Sequence, residues 1–402
     1  MWKLEVENGI ESVFAKWNFQ PQLLMGAGPS NCSPRTTNAL TMEILSPVAL
    51  DMYKIMDDIQ CMLKHTFQTK NRLTLAIQSS GHGALESILT NLVNPGEKII
   101  VAVGGVWGKR TVAIAQNYGI EVITLSCTPG EIYNFKDLEK QIMKHKPVLL
   151  FITHGESSAG TCQPLDGLGK ICHKYNCLLA VDAVASFGGV PLFIDKWEID
   201  AVAAGSQKAI SAPPGMAFLS FSERAEQLMR AKKVPPPFYF DVIALGETWN
   251  CFGNPRKYHY TYGSHLLMSV REALMQLIEE GVLETWKRHE VCAKRLWNGL
   301  EQIGLELFVE KEENRLFTVA SVIVPKDVKW PVLLDYISGK HHIDISFGLG
   351  PTAHTCIRVG SMGYNATYEK VDTVLKALED GLKYCRSENG QNGPNSRSEV
   401  ME

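Results

Sequence analysis

Between residues 98 and 182 one hydrophobic pattern repeats. A short apolar run is followed each time by a more polar stretch of helical length: Lys98–Val103 then Lys109–Tyr118, Glu121–Leu125 then Asn134–His145, Val148–Thr153 then Leu165–Tyr175, and finally Cys177–Asp182. The runs are rich in Val, Ile and Leu and do not alternate with polar residues. A strand with one wet face alternates at period two, so unbroken runs predict strands covered on both faces, as in a mostly parallel sheet flanked by helices. After residue 263 the period changes. Leu266, Leu267, Val270, Ala273, Leu274, Leu277 and Ile278 fall at helical spacing between Ser264 and Gly281, and a second helix is predicted over Leu283–Ile303. Strands follow at Thr318–Val324 and Ile343–Ile345, with helices at Pro331–Ile337 and Tyr368–Tyr384. The expected fold class is α/β: a large domain with a mostly parallel mixed sheet over 24–275, and a smaller C-terminal α+β domain over 276–386. The boundary falls near residue 275, inside the long helix. Residues 387–402 are almost wholly polar with Gly and Pro, cannot repay the entropy of ordering, and are expected to form a disordered tail.

Composition narrows the class. With Lys+Arg 40 against Asp+Glu 43 the formal net charge is −3, so the basic surface that nucleic acid requires is not expected. No apolar run approaches the ~20 residues of a bilayer-spanning helix, so no membrane is expected either. The ten cysteines are scattered without a CxxC pair, which suits neither a metal site nor a disulfide scaffold and points to reduced thiols in a soluble intracellular protein. The first eleven residues carry acids and no continuous apolar segment, so neither a secretory signal nor an Arg-rich transit peptide is expected. The terminal Glu399-Val-Met-Glu402 is not an SKL-type address.

Four segments carry candidate chemistry. Lys208 ends an apolar strand in Asp200-Ala-Val-Ala-Ala-Gly-Ser-Gln-Lys208 and is followed by small residues with Pro213 and Gly215. An enclosed lysine has a lowered pKa and can form a Schiff base with a carbonyl, although an ordinary loop lysine fits the segment too. Asp182 closes the run Leu178–Val181, at the sheet edge where α/β proteins bind ligands, or else serves as a helix cap or a loop acid. Taken as a pair, these two are what pyridoxal 5′-phosphate needs: a lysine for its aldehyde and an acid for its ring nitrogen. Gln78-Ser-Ser80-Gly81-His82-Gly83 opens a helix and offers amides and hydroxyls to an anion such as a cofactor phosphate, or is a capping turn. Trp107 lies among Gly104, Gly105 and Gly108, which suits a ring that lies flat on a planar cofactor, whereas most such aromatics are core.

From about Leu24 to Tyr384 the sequence resembles the alanine–glyoxylate/serine–pyruvate aminotransferase family, class V of the fold-type I pyridoxal-phosphate enzymes. The likeness rests on Gly26-Ala-Gly-Pro-Ser-Asn31, Thr153-His-Gly-Glu-Ser-Ser158, Val181–Ser186, Gly205–Ala209, Ala212–Gly215, Trp249-Asn-Cys, Tyr258-His-Tyr-Thr261, Leu349-Gly-Pro and Ile357-Arg358-Val-Gly360. It leaves residues 1–23 as an N-terminal arm, without the family's usual Pro-rich lead-in. The resemblance implies that Lys208 binds the cofactor aldehyde and moves the substrate proton, and that Asp182 keeps the pyridine nitrogen protonated. It implies Trp107 and Val184 on the two ring faces, Ser80, Gly81, His82 and Gln207 around the phosphate, and Ser157 at the ring side. Tyr258 and Thr261 match residues that reach a neighbouring subunit's cofactor, which implies a homodimer. Arg358 matches the fork that holds the substrate α-carboxylate. No metal is implied.

The activity expected is transfer of an amino group from alanine or serine to glyoxylate or pyruvate, by ping-pong kinetics with small amino acids and 2-oxo acids as partners. Three positions depart from the family pattern. Ala27 replaces a usual proline. Ser46 stands where alanine–glyoxylate members begin with glycine and the insect 3-hydroxykynurenine transaminases with serine, and Phe347 replaces a glycine near Arg358. Side-chain volume at Ser46 and Phe347 is expected to bear on substrate choice, unless Phe347 is a benign turn variant, so a 3-hydroxykynurenine donor is the alternative. A cysteine desulfurase ranks below it, because Gln207 stands where that class has histidine before the lysine, and a catalytically silent paralogue would be free to lose Lys208, Asp182, Trp107 and Arg358. The family's habit implies a peroxisomal place, with mitochondrion or cytosol as alternatives.

Overall fold

A computed structural model describes residues 20–387. The N-terminal arm up to residue 19 and the tail from residue 388 lie outside the described residues. The apolar runs form a seven-stranded sheet: β1 (Leu73–Ile77), β2 (Lys98–Val103), β3 (Glu121–Ser126), β4 (Leu149–Thr153), β5 (Leu178–Asp182), β6 (Ala201–Gly205) and β7 (Ala217–Phe221). Their spatial order is β1-β7-β6-β5-β4-β2-β3, with β7 antiparallel to both neighbours and every other pairing parallel. The sheet is thus mixed and mostly parallel. Strands β1 and β4 to β7 are buried at every residue, as unbroken apolar runs require. Strand β3 departs from the expectation of two covered faces: it is the sheet edge and stays partly exposed along its length, with Val122, Ile123 and Leu125 only half-buried against the core.

Six strands run in one direction, which gathers the loops after β1, β2, β4, β5 and β6 at one edge. Helix α1 (Gly81–Leu92) follows β1 and buries Ala84, Leu85, Ile88, Leu89 and Leu92; helix α2 (Val106–Asn117) follows β2. The two long helices are α3 (Ser264–Glu280), which runs unbroken through residue 275, and α4 (Val282–Gln302).

Past α4 a second sheet is wholly antiparallel, in the order β8-β9-β11-β10, from β8 (Glu306–Leu307), β9 (Val319–Ile323), β10 (Ser346–Phe347) and β11 (Cys356–Gly360). Helices α5 (Trp330–His341) and α6 (Tyr368–Cys385) pack on it. The strand expected at 343–345 is divided: Ile343–Asp344 pairs with Leu23–Leu24, and the chain then turns into β10. Strand β11, which carries Arg358, is not among the strands the pattern predicts. Two large buried clusters result, one around the seven-stranded sheet and reaching Trp286, the other from Cys292 to Cys385 with Met25 added to it. Among the described residues no helix is long and apolar enough to cross a membrane, and the ten cysteines are free.

Candidate active site

At the carboxyl edge of the sheet lies a cavity of about 120 Å³ lined by Ser80, Gly81, His82, Leu85, Trp107, Gly155, Ser157, Asp182, Val184, Ala185, Gln207 and Lys208. Nine of the fourteen residues singled out from the sequence therefore meet in one place, although 128 positions separate Ser80 from Lys208 in the chain. Each arrives from a strand end: Ser80 to His82 after β1, Trp107 after β2, Ser157 after β4, Asp182 and Val184 at β5, and Gln207 and Lys208 after β6.

Asp182 is 3% exposed, and its Oδ1 accepts one hydrogen bond, from the Val184 N–H at 2.9 Å. Burial pushes its carboxyl up to about 7, with Glu156 adding to the rise, against the pull of the Val184 amide and Lys208. Lys208 moves the opposite way. Burial lowers its ammonium to about 8, Arg358 adds to the fall and Asp182 opposes it, while Nζ donates to the Ala27 carbonyl at 2.5 Å. That carbonyl belongs to the Gly26–Asn31 segment, to which the sequence reading gave no role of its own.

Ser80 is the N-cap of α1, yet its hydroxyl makes no capping bond; Gly83 and Ala84 N–H groups bond back to its carbonyl instead. The exposed hydroxyl therefore carries no capping role in this structure. Trp107 is half-buried, with Nε1 donating to Ser157 Oγ at 2.8 Å and His82 edge-on at 5.8 Å.

The other five residues lie outside the cavity lining. Arg358 is buried on β11, its Nε donating to the Phe347 carbonyl at 2.8 Å and Nη1 to the Ser157 carbonyl at 3.2 Å, so it adjoins the cavity through Ser157. Burial lowers its guanidinium to about 10, against the pull of Glu156. For Phe347 the register favours the turn-variant reading over a place in the pocket. In the β10–β11 register Ser346 opposes Arg358 and Phe347 opposes Ile357, so the Phe347 side chain takes the other face. Its ring packs with Trp330 at 6.2 Å on the second core, and only its carbonyl meets Arg358. Ser46 is exposed on the loop before the helix Leu50–Phe67, and its carbonyl accepts from Ala49 N–H. Tyr258 and Thr261 are exposed and bonded to each other at 2.5 Å.

One functional candidate was missed. Glu156 is 2% exposed; Oε1 accepts from Ser158 Oγ at 2.6 Å and Ser158 N at 3.0 Å, and Oε2 accepts from Trp107 N at 3.3 Å. Its signal in the sequence is an acid inside Thr153-His-Gly-Glu-Ser-Ser158, next to Ser157.

Comparison with known proteins decides the family. A family model described as "Aminotransferase class-V" matches residues 35–374. The chain belongs to the class-V aminotransferase family. It is 43% identical to the alanine–glyoxylate aminotransferase of Oryctolagus cuniculus over 90% of this chain and 93% of that protein. Against the enzyme of the same name from Drosophila melanogaster the identity is 40%, over 90% and 92%. The crystal structure of the alanine–glyoxylate aminotransferase from Nostoc sp. superposes with a TM-score of 0.91 at 34% identity, covering 94% of this chain and all of that one. The class-V family and the fold-type I architecture expected from the sequence are therefore both present.

Proposed function

We propose that this class-V family member is a pyridoxal 5′-phosphate-dependent aminotransferase that moves the amino group of alanine or serine to glyoxylate or pyruvate. The observation that carries the reading is the convergence of Lys208, Asp182 and Trp107 on one cavity that also takes in the hydroxyl- and amide-rich start of α1. The residues fit the cofactor. A buried carboxylate with one hydrogen bond calls for a cation, which a protonated pyridine nitrogen supplies. Thr153, the register partner of Asp182 and so on its face of the sheet, has a buried hydroxyl with no partner, a second polar atom suited to a polar ligand. The Ser80 hydroxyl and the first amides of α1 suit a phosphate.

When bound, the cofactor supplies an aldehyde that takes the amino group and a protonated ring that draws electrons from the substrate Cα. The chain's residues do the rest. Lys208, lowered to about 8, keeps a neutral fraction at cellular pH, so Nζ can attack a carbonyl, take the proton from Cα and return it. Asp182 would hold the proton at the ring nitrogen. Trp107 and Val184 would enclose the ring, Ser157 would touch its side, and Ser80, Gly81, His82 and Gln207 would hold the phosphate. Arg358 has Nε and Nη1 on carbonyls, and its remaining donors would take the substrate carboxylate. One site serves both substrates in turn, hence ping-pong kinetics.

A homodimer belongs to this reading, with Tyr258 and Thr261 reaching the neighbour's phosphate. It is supported by their exposure outside the cavity on their own chain and by apolar side chains left on the surface: Ile44 at 77%, Leu50 at 84% and Phe238 at 78% exposed. The division into a larger and a smaller part draws support from the two core clusters, which separate between Trp286 and Cys292, within α4, and not at residue 275. A peroxisomal place rests on resemblance and is tested by imaging an internally tagged chain.

The deciding experiment offers alanine, serine, 3-hydroxykynurenine and cysteine to the cofactor-loaded protein with glyoxylate as acceptor. Glycine formed from alanine or serine is the expected result. Turnover with 3-hydroxykynurenine alone, or a protein that takes up no cofactor, overturns the proposal.

A further inference from the structure

We propose that Glu156 is a positioning residue of this site: its buried carboxylate pins the start of α2, and with it Trp107, and serves as the fixed counter-charge of Arg358. The inference rests on the aminotransferase reading above. Both oxygens of Glu156 accept hydrogen bonds, three in all, and these bonds with the field of Arg358 favour the ionised carboxylate against burial, which pushes its carboxyl up. A buried charge of that kind is costly unless its surroundings use it. Helix α2 has no side-chain cap at Gly105. Its first amides go instead to the 156–158 turn, Val106 N–H to Ser158 Oγ at 3.0 Å and Trp107 N–H to Glu156 Oε2. The carboxylate thus lies at the positive end of the helix. It comes that close because residue 105 is glycine; a Cβ there would collide with Glu156 and Ser158.

The same turn holds two working parts. Ser157 Oγ takes the Trp107 indole N–H, and the Ser157 carbonyl takes Arg358 Nη1. The two direct partners of Arg358 are neutral carbonyls, and one of them is that of Ser157, the residue after Glu156, so the chain itself holds the Glu156 carboxylate near the buried guanidinium, where its field opposes the effect of burial. A substrate carboxylate arriving at Arg358 then meets a cation already partly balanced. Glu156 also adds negative field at Asp182, which favours a cation there.

Removing the charge therefore has opposite effects on two readouts. In Glu156→Gln, Arg358 is unbalanced and binds carboxylates more tightly, while the pinned ring platform and the negative field are weakened. A merely structural role would weaken both. The experiment measures the affinity of the apoprotein for pyridoxal phosphate, the inhibition constant of propionate against alanine, and kcat. For Glu156→Gln the propionate constant is expected to fall about three- to tenfold, the cofactor Kd to rise about tenfold and kcat to drop. Glu156→Asp, which keeps the charge, is expected to return the propionate constant toward wild type. An unchanged or raised propionate constant in Glu156→Gln, or the same value in both variants, overturns the proposal. If Glu156→Gln does not fold, Ser158→Ala keeps the charge and removes the link to Val106, so its cofactor Kd should rise with the propionate constant unchanged; a wild-type Kd overturns the pinning role. A wild-type apoprotein that binds no pyridoxal phosphate removes the aminotransferase reading itself, whereas normal wild-type binding with unaltered variants removes only this inference.

Discussion

Lys208 Nζ donates its hydrogen bond to the carbonyl of Ala27, 181 positions earlier in the chain. The amine is thereby aimed before any ligand arrives, and the contact depends on the next residue. Gly28 has φ +104°, where side chains are strained, and a Cβ there would collide with Lys208 Nζ. Gly28→Ala is expected to leave a soluble protein whose kcat is down about 100-fold, the scale of a 1 Å misplacement of a reacting group. Steady-state kinetics together with cofactor uptake check it. Normal turnover would mean that the aim of Nζ is set elsewhere.

The rate at which the apoprotein takes up pyridoxal phosphate should depend on pH through Lys208. Burial favours the neutral amine, the nucleophilic form, and brings the ammonium from its usual 10.5 to about 8. Below that value the rate is expected to rise about tenfold per pH unit, and above it to level off. Stopped-flow absorbance checks this. A rate still climbing toward pH 10 would show that the amine is not lowered. Lys208→Ala should abolish both uptake chemistry and transamination.

Asp182 carries a cost that a cofactor's protonated ring nitrogen would relieve. In the folded apoprotein its carboxyl titrates at about 7, against 3.8 ordinarily. Between those values the folded state binds more protons than the unfolded one, so stability falls as pH rises through that window, and the whole loss is present above 7. Asp182→Asn removes the buried charge. The apoprotein should then melt about 2 °C or more higher at pH 8 and show no gain at pH 3, while the loaded variant is inactive. Calorimetry at the two pH values tests it, and a lower melting point at pH 8 would mean that the carboxylate is stabilising without its ligand.

Lys208 and Asp182 were legible because a charged residue that closes a buried apolar run demands a reason. The strands were legible because cover on both faces leaves its mark on composition, but Glu121–Ser126 has the same composition at the sheet edge, where nothing local records which neighbour is missing. Glu156 was hidden because its burial comes from α2 and the 156–158 turn, not from apolar neighbours in sequence. The two readings of Phe347 stayed open in the sequence because nearness to Arg358 says nothing of parity: one residue along a strand changes the face.

That parity makes Phe347 a test of substrate choice. Its half-buried ring packs on Trp330 and the second core, so Phe347→Ala is expected to lower stability by ~1–3 kcal/mol, less than for a fully buried ring. The ratio of kcat/KM between alanine and serine should stay within about twofold, since a change of pocket volume would move it further. Urea unfolding and donor kinetics measure the two effects. A large change of donor preference at wild-type stability would place the ring in the substrate's path.

Tyr258 and Thr261 lie exposed and outside the cavity of their own chain, so their role can be separated by mixing chains. A chain with Lys208→Ala has no amine but intact Tyr258 and Thr261; a chain with Tyr258→Phe and Thr261→Ala has the amine but lacks both hydroxyls. If the hydroxyls act across a dimer, a hybrid of the two holds one complete site, because the intact Lys208 receives Tyr258 and Thr261 from the other chain. Its second site lacks all three groups. Co-expressed, differently tagged chains purified as hybrids should then recover about half of the wild-type activity per dimer at low cofactor concentration, where neither parent is active. If the hydroxyls serve their own chain, every site in the hybrid lacks either the amine or both hydroxyls, and mixing recovers nothing.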